Sequence, residues 1–386
     1  MKTRRMRVAF FIQGEGRGHM TQALALKSIL EDAGHEIVAA FMGENPERPI
    51  PQFFVDRFGG PIHTYLSPVF TMDPRQKGVR LGPTLINSLR QTPRYWSQGS
   101  TVHRELSAYS PNLLVNFYEL LGSLYHAVFR PSVPLVAVGH QFLFFHPTLP
   151  TPKDQSFQVR MIRLHARLNS LNSDLRLGLS FTPLPSLPDK RVRIVPPLLR
   201  EEVLQGKPTR GDHVLAYVLN PGYGEDLERW HAEHPEVALH CFWDKQDVPP
   251  AYSPHKNLTY HRLDDRKFLE LLSTCRGFTS TAGFESVCEA AFWGKPVMVV
   301  PTRNHLEQRC NALDAQRAGV ATWRDDFHLT DFVRSLGAGT PSAHEAFHRW
   351  VLSAPDSFIR LLEGVCEGRN PMAIPLDSDS AVSQGR

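Results

Sequence analysis

Short, unbroken apolar runs that stop at glycine and give way at once to a helical pattern recur along this chain, and that alternation limits its possible folds more than any other feature. The first instance is RVAFFI (Arg7–Ile12), then the glycines of GEGRG, then MTQALALKSILEDAG. In that last stretch Ala23, Leu26, Ile29 and Leu30 fall at helical spacing and Gly34 marks the stop. HEIVAAFMG supplies the next strand. Continuous apolar strands are buried on both faces, as in a parallel sheet, and right-handed crossovers make this strand–helix–strand opening the start of a doubly wound sheet.

NLLVNF and PLVAVGH extend the series as buried strands, with a helix around LGSLYHAVF between them. Residues 46–100 are rich in proline, glycine and aromatics and show no clean period before a helix expected over Gly82–Leu89. A helix is expected over Ser156–Asn172, with Val159, Ile162, Leu164, Leu168 and Leu171 apolar, followed by the strand LRLGLSF. Residues 182–212, dense in proline and charge, then read as a linker. A second series begins at HVLAYVLN, turns at PGYGED and repeats the alternation to Gly319. A chain of 386 residues favours two domains. The expectation is therefore α/β, with two doubly wound domains at 1–205 and 206–367. The polar residues 368–386 are expected to be a disordered tail.

The formal net charge is only +4 and the basic residues are scattered, which argues against a nucleic-acid partner. Five cysteines, Cys241, Cys275, Cys288, Cys310 and Cys366, include no CxxC pair and read as reduced core residues. His140 and His146 have no metal-ligand partners at suitable spacing, so no metal is assigned. The basic start MKTRRMR precedes an apolar run of only Val8–Ile12, too short for a signal peptide, and no stretch is long enough to span a bilayer. The expected location is cytoplasmic. Aromatics in VGHQFLFFHP (Val138–Pro147), read as exposed beside the basic helix 156–172, suggest an acceptor pocket or a peripheral contact with the inner membrane face.

The strongest functional signal is Thr279–Gly319, TSTAGFESVCEAAFWGKPVMVVPTRNHLEQRCNALDAQRAG, read as strand, glycine turn, helix, strand, proline turn, helix. A glycine turn opening a helix presents unpaired N–H groups and the positive end of the helix dipole, which suits a diphosphate. Gly283 lets a backbone come close, and Ser286 sits in the first turn. Glu285 and Glu289 lie one helical turn apart on one face, where a carboxylate can accept both hydroxyls of a ribose. Their alternative role is to complement the helix N-terminus, at ~0.3–1 kcal/mol each. Glu307 and Gln308 open the next helix and can meet sugar hydroxyls in the same way.

In its order of Gly283, Ser286, Glu289, Gly294, Pro296, Pro301, Glu307, Gln308, Asn311, Ala312 and Gly319, this stretch resembles the donor-binding segment of GT-B glycosyltransferases. That superfamily includes the plant and bacterial UDP-glycosyltransferases and the lipid-linked N-acetylglucosaminyltransferase of peptidoglycan synthesis. The resemblance implies that Glu289 holds the nucleotide ribose, that Gly283 and Ser286 lie by the diphosphate, and that Glu307 and Gln308 face the donor sugar. The chain departs from many plant and macrolide-type members at Thr281, where they carry a histidine, and at Glu285, where they carry asparagine or threonine. A second phosphate contact from Arg303, His305 or the turn Asn220–Glu225 is then expected.

GEGRGHMTQA resembles the N-terminal glycine loop of the same superfamily, in which a Gly-His pair opens the first helix on the acceptor side. Gly14, Gly16 and Gly18 form this loop here, with His140 as a further acceptor-side candidate. The G-x-G-x-G spacing does not fit a dinucleotide fingerprint. His19, near the head of a helix whose dipole favours its neutral form, is the expected base, with Glu15 as its rival. The resemblance thus implies the GT-B fold, with two Rossmann-like domains facing across a cleft, the last helices from Ser342 to Cys366 packing back on the first domain, and no cofactor beyond a nucleoside-diphosphate sugar as co-substrate. It also implies metal-independent, inverting transfer, with a UDP-sugar favoured, to a small-molecule or lipid-linked hydroxyl acceptor. A sugar-nucleotide 2-epimerase shares the fold, but Pro301 stands where that group calls for arginine and no second glycine follows Gly283. A non-catalytic nucleotide-sugar-binding protein is the other alternative.

Overall fold

A computed structural model describes residues 5–14, 17–44, 49–66, 98–218, 221–245, 248–336 and 343–376. Glu15, Gly16, Asn220, the helix expected over Gly82–Leu89 and residues 377–386 lie outside the described residues. The chain divides into two compact units, one formed by 1–149, 153–200 and 352–386, the other by 150–152 and 201–351.

The first unit runs β1 (Arg7–Ile12), α1 (Arg17–Asp32), β2 (Glu36–Glu44), α2 (Gln52–Phe58), β3 (Ile62–Leu66) and α3, described over 98–109. It continues through β4 (Leu113–Phe117), α4 (Leu120–Phe129), β5 (Leu135–Val138), a 3-10 helix at His140–Phe145, α5 (Ser156–Leu168), β6 (Leu175–Leu179) and β7 (Val192–Val195). The strands form one parallel sheet in the order β3-β2-β1-β4-β5-β6-β7. The order reverses between β1 and β4, so the loops after these two strands flank the crevice where such sheets take ligands.

Successive side chains of β1 face opposite sides of this sheet. Phe10 meets Phe117 edge to face at 5.2 Å, while Phe11 packs on Phe41 and Tyr125. Helix α4 crosses β1 at Gly122, where a Cβ would stand 2.6 Å from Cγ and 2.8 Å from Cβ of Phe11. Those atoms lie next to the backbone and cannot swing aside. Gly122→Ala is therefore expected to destabilise by a net ~1–2 kcal/mol, overpacking outweighing the gain in helix propensity. Chemical denaturation at equilibrium checks it.

Three expectations are corrected in this unit. Helix α5 ends at Leu168, because residues 169–172 turn, with Asn172 left-handed at φ 55°. The aromatics after β5 are not exposed: Phe142, Phe144 and Phe145 are buried in the 3-10 helix, and the exposed apolar residues nearby are Phe157 and Leu164 of α5. Residues 192–195, within the expected linker, are the edge strand β7, so the boundary falls after Arg200.

The second unit runs α6 (Glu201–Leu204), β8 (Val214–Tyr217), α7 (Pro221–Glu233), β9 (Leu239–Trp243), β10 (Ala251–His255), β11 (Leu258–Arg262) and α8 (Asp265–Thr274). Then follow β12 (Gly277–Ser280), α9 (Phe284–Phe292), β13 (Val297–Val299), α10 (Leu306–Arg317), β14 (Thr322–Trp323), α11 (Thr330–Ser335) and α12 (Ala343–Leu352). In its sheet, β10-β11-β9-β8-β12-β13-β14, the six parallel strands follow the order of the first six strands of the first sheet, and the antiparallel β10 is added at the edge beside β11. That strand is largely exposed and carries Pro254, which an edge tolerates. The buried Lys295 donates to the carbonyls of Thr209, Ser273 and Cys275 at 2.6–2.9 Å, tying the segment before β8 to the end of α8.

Helix α13 (Ala354–Cys366) then returns to the first unit. Met6 N donates to Nδ1 of the buried His35 at 3.2 Å, which places the proton on Nε2, 3.4 Å from Glu363 Oε1 of α13. Beyond it, Ile374 and Leu376 are buried, and Arg193 Nη1 donates to Met372 O at 3.3 Å. Residues 368–376 are therefore packed, not a disordered tail, because two apolar side chains in a polar stretch suffice to anchor it.

Candidate active site

In the second unit the sheet order reverses between β8 and β12, and the loops after β12 and β13 lie at the same end of the parallel strands. Strand β12 delivers the buried Thr281 and then Ala282, held left-handed at φ 62°. Such a conformation costs a non-glycine residue on the order of 1 kcal/mol and persists only where neighbours impose it. The imposing group is the buried Asn311 of α10, whose Nδ2 donates to Ala282 O at 3.2 Å. Gly283 is then the N-cap of α9, exposed and at an ordinary φ of −67°. A Cβ there would meet only Ser286 Oγ, at 3.7 Å. Neither conformation nor internal packing calls for glycine, so the bare backbone matters for what approaches from outside.

Glu285 and Ser286 are partly exposed in the first turn of α9, whereas Glu289, one turn on, is only 1% exposed. The two carboxylates share a face but not an environment. Burial, with the charges of Glu285, Glu289 and Asp314, pushes the neighbouring Cys288 thiol far up, so it is inert. After β13, Gln308 Oε1 accepts from Thr302 N at 2.8 Å, and His305 caps α10 by accepting from Gln308 N at 3.3 Å. The Gln308 oxygen is thus spent on the turn, and Nε2 is the end of its amide that can donate to a ligand. Arg303 is exposed, with its N–H on Tyr223 Oη at 3.0 Å, and Asn304 is left-handed at φ 61°. Glu307 is partly exposed at the head of α10.

In the first unit, Gly14 is the bend after β1, and Gly18 and His19 are the second and third residues of α1. His19 Nδ1 lies 3.4 Å from Gln22 Oε1, an acceptor only, so Nδ1 carries the proton and Nε2 offers its lone pair. Its ring stacks on Tyr118 at 5.8 Å and 13°. Desolvation lowers its pKa to about 4, opposed by the Gln22 hydrogen bond and aided by His165. The neutral form is favoured as expected, but burial is the first cause, not the helix dipole. His140 is buried, its Nδ1 2.9 Å from Leu179 O, which holds it against β6.

A cavity of about 640 Å³ in the first unit touches none of these residues; Pro134 and Asp174 line it just before β5 and β6, opposite the ligand-binding ends of the strands. Among the described residues no group of His, Cys, Asp and Glu is arranged to hold a metal ion, and no helix is long and apolar enough to cross a membrane.

The sequence profile of glycosyl transferase family 1 matches residues 6–337. The chain belongs to that family. As a family 1 member it is a glycosyltransferase, and its two α/β units are those of the GT-B fold. Among solved structures it is similar to the kitacinnamycin glycotransferase, 18% identical over 93% of this chain and 100% of that one, with a TM-score of 0.60. It is also similar to CalG4, the calicheamicin glycosyltransferase, at 18% identity, 95% and 99% coverage and a TM-score of 0.59. LpCGTa in complex with UDP is 16% identical over 92% of this chain and 95% of that one, with a TM-score of 0.58. The lipid-linked enzyme of peptidoglycan synthesis remains a loose analogy. No curated protein matches the chain by sequence.

For a family 1 glycosyltransferase, two features escaped the sequence reading. Asn311 was legible as a motif position, but not as the group that fixes Ala282. Tyr118 carries no motif signal, although it follows a buried strand at the switch point and its ring stacks on His19.

Proposed function

We propose that the second unit binds a nucleoside-diphosphate sugar, UDP-linked in the first instance, and that the first unit holds a hydroxyl acceptor whose proton passes to His19. The bare N-cap at Gly283 carries this reading, since an exposed glycine that no internal contact requires, opening a nine-residue helix at the switch point, suits a diphosphate. Glu289 receives the ribose hydroxyls and Thr281, Glu285 and Ser286 lie by the diphosphate, with Arg303 as the cationic contact that Thr281 does not supply, or His305 as a hydrogen-bonding one through Nε2. Glu307 and Gln308 face the sugar.

The acceptor oxygen forms the new bond to the anomeric carbon as its proton moves to His19 Nε2. The old bond breaks with its electron pair leaving on the diphosphate, and one displacement inverts the centre. UDP is placed first because LpCGTa, of the same fold, is described with UDP. A thermal-shift panel of UDP, GDP, dTDP and CMP with their sugar conjugates tests the reading. One nucleotide at about a hundred times its Kd is expected to add roughly 2.7 kcal/mol of stability. No shift with any of them would overturn the donor assignment. Soluble and lipid-linked hydroxyl acceptors are then screened side by side.

A further inference from the structure

A histidine that takes a proton becomes an imidazolium, and something must favour that charge. Among the described residues, the groups acting on the His19 ring are Gln22 and His165, and neither is a carboxylate. What the ring does have is a parallel, offset-stacked aromatic neighbour. Tyr118 lies parallel to it within 13°, centroids 5.8 Å apart, inside the range in which a cation is drawn to a π face.

That neighbour is held with unusual care. Tyr118 is 3% exposed and left-handed at φ 58°, a strained conformation for a bulky residue. The buried Asn116 imposes it, with Oδ1 accepting from Glu119 N at 2.7 Å while Nδ2 donates to Glu119 O, Ser123 Oγ and Asn169 O at 2.7–3.2 Å. Glu119 closes the turn by capping Leu121 N at 3.1 Å. At its far end the Tyr118 hydroxyl lies 3.1 Å from His165 Nδ1 of α5, and the ring packs edge-on against His165 and Phe142. Burial lowers the pKa of His165 to about 4, so near neutral pH the ring is neutral, and in the tautomer that carries its proton on Nε2 the Nδ1 lone pair accepts from the phenol. A phenol that donates keeps its ring electron-rich.

We propose that Tyr118 is a positioning residue for His19, its ring fixing the imidazole plane and offering its π face to the positive charge that forms when the acceptor's proton arrives. The inference rests on His19 being the base of the proposed transfer. It assigns to an aromatic face the charge-favouring role that a carboxylate could otherwise fill, and it gives the strained turn after β4 a purpose.

The test is an NMR titration of the His19 Cε1–H in the full-length protein, wild type against Tyr118→Leu and Tyr118→Phe, with kcat and KM measured on the same samples. Neither replacement branches at Cβ, so the left-handed backbone burdens both alike. Tyr118→Leu is expected to lower the His19 midpoint by about 0.5 and kcat by roughly two- to fivefold, with the donor KM unchanged. Tyr118→Phe, which keeps the ring, stays within about 0.2 of the wild-type midpoint on the same scale. A Leu variant that titrates like wild type, or a Phe variant that falls as far as Leu, overturns the proposal. Should Tyr118→Leu fail to fold, Tyr118→Met replaces it with the same readouts. The titration needs no substrate, so absence of transfer by the wild type counts against the function while the midpoints still decide the role of the ring.

Discussion

His19→Ala is expected to lower kcat for sugar transfer by about 10²–10⁴-fold while leaving the nucleotide-induced thermal shift intact. The two readouts separate because His19 belongs to the first unit and the donor residues to the second. Its pKa of about 4 adds a second signature. The base must be neutral, so activity is lost as pH falls through its pKa. For an unperturbed histidine that loss would centre near 6.5, whereas here kcat/KM stays level on the acid side until about pH 4. Stopped assays from pH 4 to 8, in acceptor excess, distinguish the two. Full transfer by His19→Ala would remove the residue from the mechanism and pass the role to Glu15, for which Glu15→Gln is the matching variant.

Glu289→Ala is expected to abolish most of the stabilisation that the donor nucleotide confers. A hydrogen bond to a charged group is worth ~1.5–3 kcal/mol, so losing a carboxylate that accepts two ribose hydroxyls weakens binding by a hundredfold or more. At a ligand concentration of about a hundred times the wild-type Kd, the shift then drops from roughly 2.7 to about 0.4 kcal/mol. Because Glu289 is buried, the variant also lowers the stability of the ligand-free protein. The comparison is therefore made within each variant, with and without nucleotide, and Glu289→Gln keeps the volume as a control. An undiminished shift in Glu289→Ala would make the residue a buried structural carboxylate of α9 and leave the ribose to another group.

The legible parts of the fold were those where one physical rule dominates. Strands β1, β4, β5 and β8 are buried along almost their whole length, and burial on both faces writes an apolar run that no other element shares. The turn at Gly283 was readable because glycine, a polar first turn and an apolar helix coincide. What escaped was set by tertiary contact. Strand β10 is an exposed edge with no apolar signature, and α2 and β3 sit in a stretch whose prolines and glycines mask any period. Phe142, Phe144 and Phe145 looked like a surface because sequence shows a cluster but not which side of it is covered. Tyr118, Ala282 and Asn304 take glycine-like backbone angles without being glycine, and only Asn304 belongs to a residue type that does so readily. The residues around the candidate site are visible one by one, but the hydrogen bonds by which Asn116 and Asn311 hold the turns beside them are not.

The return of α13 to the first unit sets an order of events during synthesis. His35 waits for Glu363, a partner made more than three hundred residues later. At about 5–20 residues per second, the stretch from 201 to 376 takes roughly 10–35 s to emerge from the ribosome. During that interval the first unit lacks its closing helix while the second, nearly continuous in the chain, can complete its own sheet. The later-encoded unit is thus the one able to finish folding first.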